Sequence, residues 1–97
     1  MSVFAVFYTY DPASDLIAQH RPEHREFLAM LKADGMLVGS GPFTDEEGGA
    51  LIVLRVDDDS TVADVEKLMD DDPFKKRGAI TGRTIRPWNP VLNIWNS

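Results

Sequence analysis

Two stretches of this chain are apolar at every position: "VFAVFY" at residues 3–8 and "ALIVL" at residues 50–54. Short unbroken runs of β-branched, aliphatic and aromatic residues predict strands. Successive side chains of a strand point to opposite faces. Val3, Ala5 and Phe7 therefore face one way, and Phe4, Val6 and Tyr8 the other. On the later strand, which runs to Val56, Ala50, Ile52, Leu54 and Val56 oppose Leu51 and Val53. Strands that are apolar on both sides need both faces of their sheet covered. That demand constrains every fold the chain can adopt.

The remaining elements follow from punctuation and period. "DPASD" breaks the first strand with turn residues. From Pro22 to about Ala33 the spacing is helical: Pro22 suits a first helical position, Phe27, Leu28 and Leu31 recur at helical intervals, and Gly35 is placed to end the helix. Met36 to Val38 form a short second strand closed by the turn "GSGPF", and "DEEGG" is the hairpin loop before the third strand, Ala50 to Val56. A second helix starts at Ser60 or Thr61, with Asp64 in a capping-box arrangement and Val62, Val65, Leu68 and Met69 as its stripe. "DPFKKRG" interrupts it, and Pro73 holds Asp72 in an extended conformation. Thr81 to Arg86 make the fourth strand, before an apolar tail ending Ile94-Trp95.

The order β-α-β-β-α-β is the ferredoxin-like split pattern, an α+β antiparallel sheet with two helices on one face. The 97 residues make one domain. Since helices cover only one side of the sheet, a second copy of the chain, packed sheet against sheet, is expected to cover the other. The tail "VLNIW" at 91–95 could swap across or add a strand.

Charge and composition narrow the function classes. The net charge is −6. Residues 1–48 hold eight acids and three bases, and residues 49–97 eight and seven. Neither half offers the Lys/Arg excess that nucleic-acid phosphates demand; Lys75-Lys76-Arg77 is offset by Asp70-Asp71-Asp72. With no cysteine, disulfides, thiolate catalysis and Cys-based metal sites are excluded. "MSVFAVFYTY" lacks a basic leader segment and reads as a strand, and no apolar run approaches membrane-spanning length. A cytoplasmic protein without cofactor or membrane partner is expected.

The candidate chemistry centres on "QHRPEHREFL" at 19–28. On a helical wheel with His24 at zero, Leu28, Phe27 and Leu31 fall at about 40°, 300° and 340°. An imidazole inside an apolar stripe must be hydrogen-bonded or carry a cost of about 1–3 kcal/mol. A structural histidine, satisfied by a carboxylate or a carbonyl, is one reading, and a catalytic one is the other. Arg21 lies on the same side at the helix entrance. His20 precedes the proline, outside the predicted helix, which argues against a His-x-x-x-His metal pair because both ligands would need one helix. Among the three acids at 70–72, a solvated charge run is the ordinary explanation. Asp72 differs, because Pro73 fixes it and Phe74 anchors the turn in apolar surroundings. In "GSGPF", Gly39 and Gly41 let a ligand approach the backbone and Ser40 offers a hydroxyl; a plain strand-ending turn is the alternative.

Taken in order, these pieces resemble the YCII-related (YciI-like) family: the N-terminal strand, "RPEHREFL" as its Arg-x-x-His-x-x-x-Leu helix, Gly35 with "GSGPF", "GGALIVLRVDD", "STVADVEKLMDDDPF" and a final strand. The chain departs from the pattern in its Trp-containing tail and in Asp70 and Asp71. The resemblance implies a dimeric α/β barrel with a His-Asp dyad at His24 and Asp72, surrounded by Arg21, Ser40, Gly41, Pro42 and Phe74. One member type dehydrochlorinates a chlorinated hydroxyhydroquinone, and muconolactone isomerases share the architecture. A carboxylate bonded to one ring nitrogen fixes the tautomer and steadies an imidazolium. With no nucleophile elbow, the expectation is a cofactor-independent lyase or isomerase that moves a proton on a small molecule. The competing expectation is a non-catalytic protein that holds a small metabolite in the same cavity.

Overall fold

The computed structural model describes residues 1–94. The chain runs β1 (Ser2–Thr9), α1 (Asp15–Ala33), β2 (Leu37–Pro42), β3 (Ala50–Val56), α2 (Val62–Met69), α3 (Pro73–Lys76) and β4 (Gly82–Pro87). One four-stranded sheet is built in the order β2-β3-β1-β4, with every neighbouring pair antiparallel. This is the ferredoxin-like α+β arrangement that the element order predicts.

The alternation of β1 and β3 sets the core. Val6 pairs with Ile52 and Phe4 with Leu54, and all four are buried beneath the helices with Ile17, Leu31, Val65 and Met69. The other face carries Val3, Ala5, Phe7, Leu51 and Val53, of which Phe7 remains 38% exposed. Two central strands, apolar on both sides, thus have one face packed by helices of this chain and one face that its helices leave uncovered. Among the described residues, no helix is long and apolar enough to cross a membrane.

Two boundaries differ from expectation, each for a tertiary reason. Helix α1 begins at Asp15, with Pro22 inside it, and not at Pro22. An interior proline costs about 3 kcal/mol in a helix. Ile17, seven residues before His24, extends the apolar stripe by two turns and is 1% exposed; burying such a side chain contributes about 1.5–3 kcal/mol. Pro22 itself is on the solvent side. His20 consequently lies in the same helix as His24, and the reason for setting the pair aside as metal ligands lapses. Yet His20 Nδ1 lies nearest Glu23, at 3.8 Å, while His24 Nδ1 is engaged elsewhere, as described below.

The second difference is β2, which occupies Leu37–Pro42 and absorbs most of the predicted "GSGPF" turn. Ser40 pairs with Ile52 and Pro42 with Ala50, after a register shift between Leu37 and Gly39. Ladder hydrogen bonds to β3 offset the weak strand propensity of the glycines, and a proline is tolerated at the end of an edge strand. The loop then closes with Phe43 N–H donating to the Gly49 carbonyl at 3.0 Å. Gly48 and Gly49 both have positive φ, 83° and 86°. A Cβ on Gly48 would stand 2.3 Å from the Tyr10 carbonyl oxygen, so no other residue fits there without moving backbone.

Helix α2 starts as predicted. The Thr61 hydroxyl accepts from Asp64 N–H at 3.2 Å, and the Asp64 carboxylate accepts from Thr61 N–H at 2.8 Å, a reciprocal capping box. The tail through Ile94 joins no strand of this chain. Val91, Leu92 and Ile94 are 79%, 95% and 101% exposed; Trp95 lies outside the described residues.

Candidate active site

Asp72 is placed by local chemistry. The following proline keeps it extended, at φ −64° and ψ 128°, where it caps α3 and its Oδ1 accepts from Phe74 N–H at 3.0 Å. The segment turns the carboxylate inward until it is fully buried. A buried carboxylate needs several donors, and two more arrive from distant parts of the chain. Tyr8 O–H donates to Oδ2 at 2.8 Å, and His24 Nδ1 lies 2.9 Å from both carboxylate oxygens.

Three donors on one carboxylate define its role. When the carboxylate is ionised it only accepts; the proton between the two residues then sits on Nδ1, and Nε2 is the ring nitrogen with a lone pair in the neutral imidazole. Nε2 takes no hydrogen bond among the described residues. The ring is also held by packing: it stacks on Phe74 with centroids 3.9 Å apart and planes 6° from parallel. Burial, together with the Asp72 carboxylate that accepts from it, pushes the Tyr8 phenol well above its ordinary range. Tyr8 therefore remains a donor at every physiological pH.

The acids beside Asp72 are individually placed. Asp70 pairs with Arg83 at 2.9 Å, and Asp71 approaches Lys76 at 4.0 Å. The triple-acid segment is therefore one buried carboxylate with two more exposed, cation-matched neighbours.

His24 lines a cavity of about 150 Å³ between α1 and the β2–β3 edge. Its polar lining is Tyr10, Arg21, Arg25 and Ser40, and its apolar wall includes Leu28, Pro42 and Ile52. Gly41 and Phe74 also line it, so six of the seven residues expected from the sequence meet here, and the seventh, Asp72, lies behind the imidazole. A wider hollow, of about 540 Å³, opens near Ser2, Val62 and Trp88. It contains no acidic, basic or imidazole side chain, and two further hollows, beside Asp45 and Glu47 and beside Lys75 and Arg83, contain no imidazole; among these four, the cavity at His24 joins an imidazole to two guanidinium groups.

Sequence reasoning missed three residues: Tyr8, Tyr10 and Arg25. Tyr8 was discoverable, because strand alternation sends it to the helix side with Phe4 and Val6, and a buried phenol requires a partner. Arg25 lies one turn after Arg21 and thus on the same flank of the helix. Tyr10 follows β1, and no sequence signal sets its direction.

The YCII-related domain model matches residues 2–89. The chain belongs to the YCII-related family. Three solved structures share the fold. The first is 5-chloro-2-hydroxyhydroquinone dehydrochlorinase (TftG) from Burkholderia phenoliruptrix AC1100, in complex with 2,5-dihydroxybenzoquinone. It has a TM-score of 0.73 and 21% identity over 90% of this chain and 93% of that one. An antibiotic biosynthesis monooxygenase has a TM-score of 0.59 and 13% identity over 92% and 97%. PA3566 from Pseudomonas aeruginosa has a TM-score of 0.53 and 15% identity over 90% of both chains. No curated protein matches the sequence significantly. At these identities the likeness is one of fold, and within this YCII-related chain the case for chemistry rests on the cavity.

Proposed function

We propose that this YCII-related protein is a cofactor-independent lyase or isomerase in which His24 moves a proton on a small molecule. The observation that carries this reading is an imidazole lining a cavity with Nδ1 held 2.9 Å from a fully buried carboxylate. Asp72 would fix the tautomer and balance the imidazolium that forms when Nε2 accepts a proton from carbon. For an elimination, the C–H electron pair becomes a new π bond while the leaving group departs with its own pair. For an isomerisation, His24 returns the proton to a different carbon. Arg21 would hold an anionic oxygen, Ser40 and the Gly41 backbone would approach the substrate, and Pro42 and Phe74 would supply apolar walls. The dehydrochlorinase among the structural neighbours supports this class and makes 5-chloro-2-hydroxyhydroquinone a first candidate substrate.

Turnover of that compound, and deuterium uptake from D₂O into a panel of hydroxyquinones and unsaturated lactones, test the reading. His24→Gln keeps a donor near Asp72 but removes the ring. Since a positioned base contributes about 10²–10⁴-fold, that variant should lose at least a hundredfold in rate while its circular dichroism stays native. Unchanged turnover in His24→Gln would leave a metabolite-binding protein whose buried pair is structural.

We further propose that two copies pack through the uncovered sheet face. Phe7, Leu51 and Val53 on this face would be buried between them, as in a dimeric α/β barrel.

A further inference from the structure

We infer that the cavity beside His24 is built for a small, flat organic anion, and that Arg25 acts with Arg21 as its second specificity-determining cation. The inference rests on reading that cavity as a small-molecule site.

The charge distribution is the first argument. The chain has 16 acids and 10 Lys and Arg residues. Yet the cavity is lined by two arginines and an imidazole and by none of the 16 carboxylates. Among the described residues, neither Arg21 nor Arg25 lies within ion-pairing distance of a carboxylate, unlike Arg83, which sits 2.9 Å from Asp70. Like charges at i and i+4 destabilise a helix. Arg25 is exposed and Arg21 half-buried, so water screens the pair in part, and an anion in the cavity would relieve the repulsion further.

Size and wall chemistry supply the second argument. A cavity of about 150 Å³ has the dimensions that accommodate a benzene-sized guest. Leu28, Ile52 and Pro42 give it aliphatic sides, and Tyr10, His24 and Phe74 give it aromatic ones. Guanidinium groups are planar forks suited to carboxylate or phenolate oxygens. Beside aliphatic and aromatic walls, they select a ring-sized carbon skeleton carrying an anionic oxygen over a bare inorganic anion.

The test is a calorimetric or NMR titration of the full chain at low salt with benzoate, 4-nitrophenolate at a pH where it is ionised, benzyl alcohol and inorganic phosphate. Benzoate or 4-nitrophenolate should bind at least tenfold tighter than benzyl alcohol and phosphate, and which of the two binds better identifies the anionic group. Arg25→Gln and Arg21→Gln should each weaken that binding tenfold or more, whereas Lys32→Gln, at the exposed far end of the same helix, should change it less than twofold. Equal binding of benzyl alcohol, equal binding of phosphate, an unaffected Arg25→Gln, or no binding of either organic anion would each overturn the inference. His24→Gln separates the two readings. Anion binding retained there supports the pocket even when no turnover exists, and turnover without selectivity for anions supports only the proton-transfer chemistry.

Discussion

Tyr8 is the residue that ties strand to site. Its phenol is buried and donates to a carboxylate, a bond of the kind that contributes about 1.5–3 kcal/mol when its acceptor is charged. Tyr8→Phe should therefore lower the unfolding free energy by about 2 kcal/mol, measured by urea denaturation at neutral pH. The pH dependence has a definite sign. The folded state raises the Tyr8 pKa above the ordinary 10.0, through burial first and then the nearby Asp72. Below pH 10 both states keep the proton and the contribution is whole. As pH rises past 10 the unfolded chain loses a proton that the native state retains, so stability falls. The urea midpoint should drop between pH 9 and 11, and drop less in Tyr8→Phe. Equal slopes would show that Tyr8 is not the group responsible.

Among the elements, α1 and the β2–β3 hairpin show how far local rules reach. Proline rules alone start α1 at Pro22, yet the burial of Ile17 draws the helix back to Asp15. Pro22→Ala should restore a hydrogen bond to the Ala18 carbonyl and raise stability by about 1–2 kcal/mol, seen as a higher Tm; a lower Tm would mean that the proline is not strained there. In the hairpin, Gly48→Ala places a Cβ against the Tyr10 carbonyl at a φ of +83°, and should destabilise by more than about 1 kcal/mol. Gly41→Ala, with nothing within 4 Å of the added carbon, should leave Tm nearly unchanged. The sequence marks "DEEGG" as a turn, but not which glycine is obligatory, because that depends on a carbonyl from the far end of β1.

At the scale of the whole molecule, the proposed dimer rests on the uncovered sheet face. A chain of this length buries only about two-thirds of its unfolded surface on its own, and Phe7, Leu51 and Val53 form a contiguous apolar centre on the face away from the helices. Sedimentation at micromolar concentration should give a dimer, and Phe7→Glu should shift it to monomer by placing a charge in that centre. A compact wild-type monomer would refute the arrangement.

What the sequence determined by itself has short-range causes. The two doubly apolar strands, the Thr61–Asp64 capping box and the extended Asp72 before Pro73 depend on sterics and hydrogen bonds within a few residues, and all are legible in order. His24 was legible as an imidazole in an apolar stripe and Asp72 as an acid held by Pro73; the family resemblance supplied their pairing. The tertiary structure alone decided the meeting of His24 with Asp72 across 48 positions and of Tyr8 with Asp72 across 64, the early start of α1, and the gathering of Arg25 with Tyr10 around the cavity. These contacts depend on sheet register and on how α1 docks against it. Both are set by the packing of the whole core, and no local window of the chain contains them.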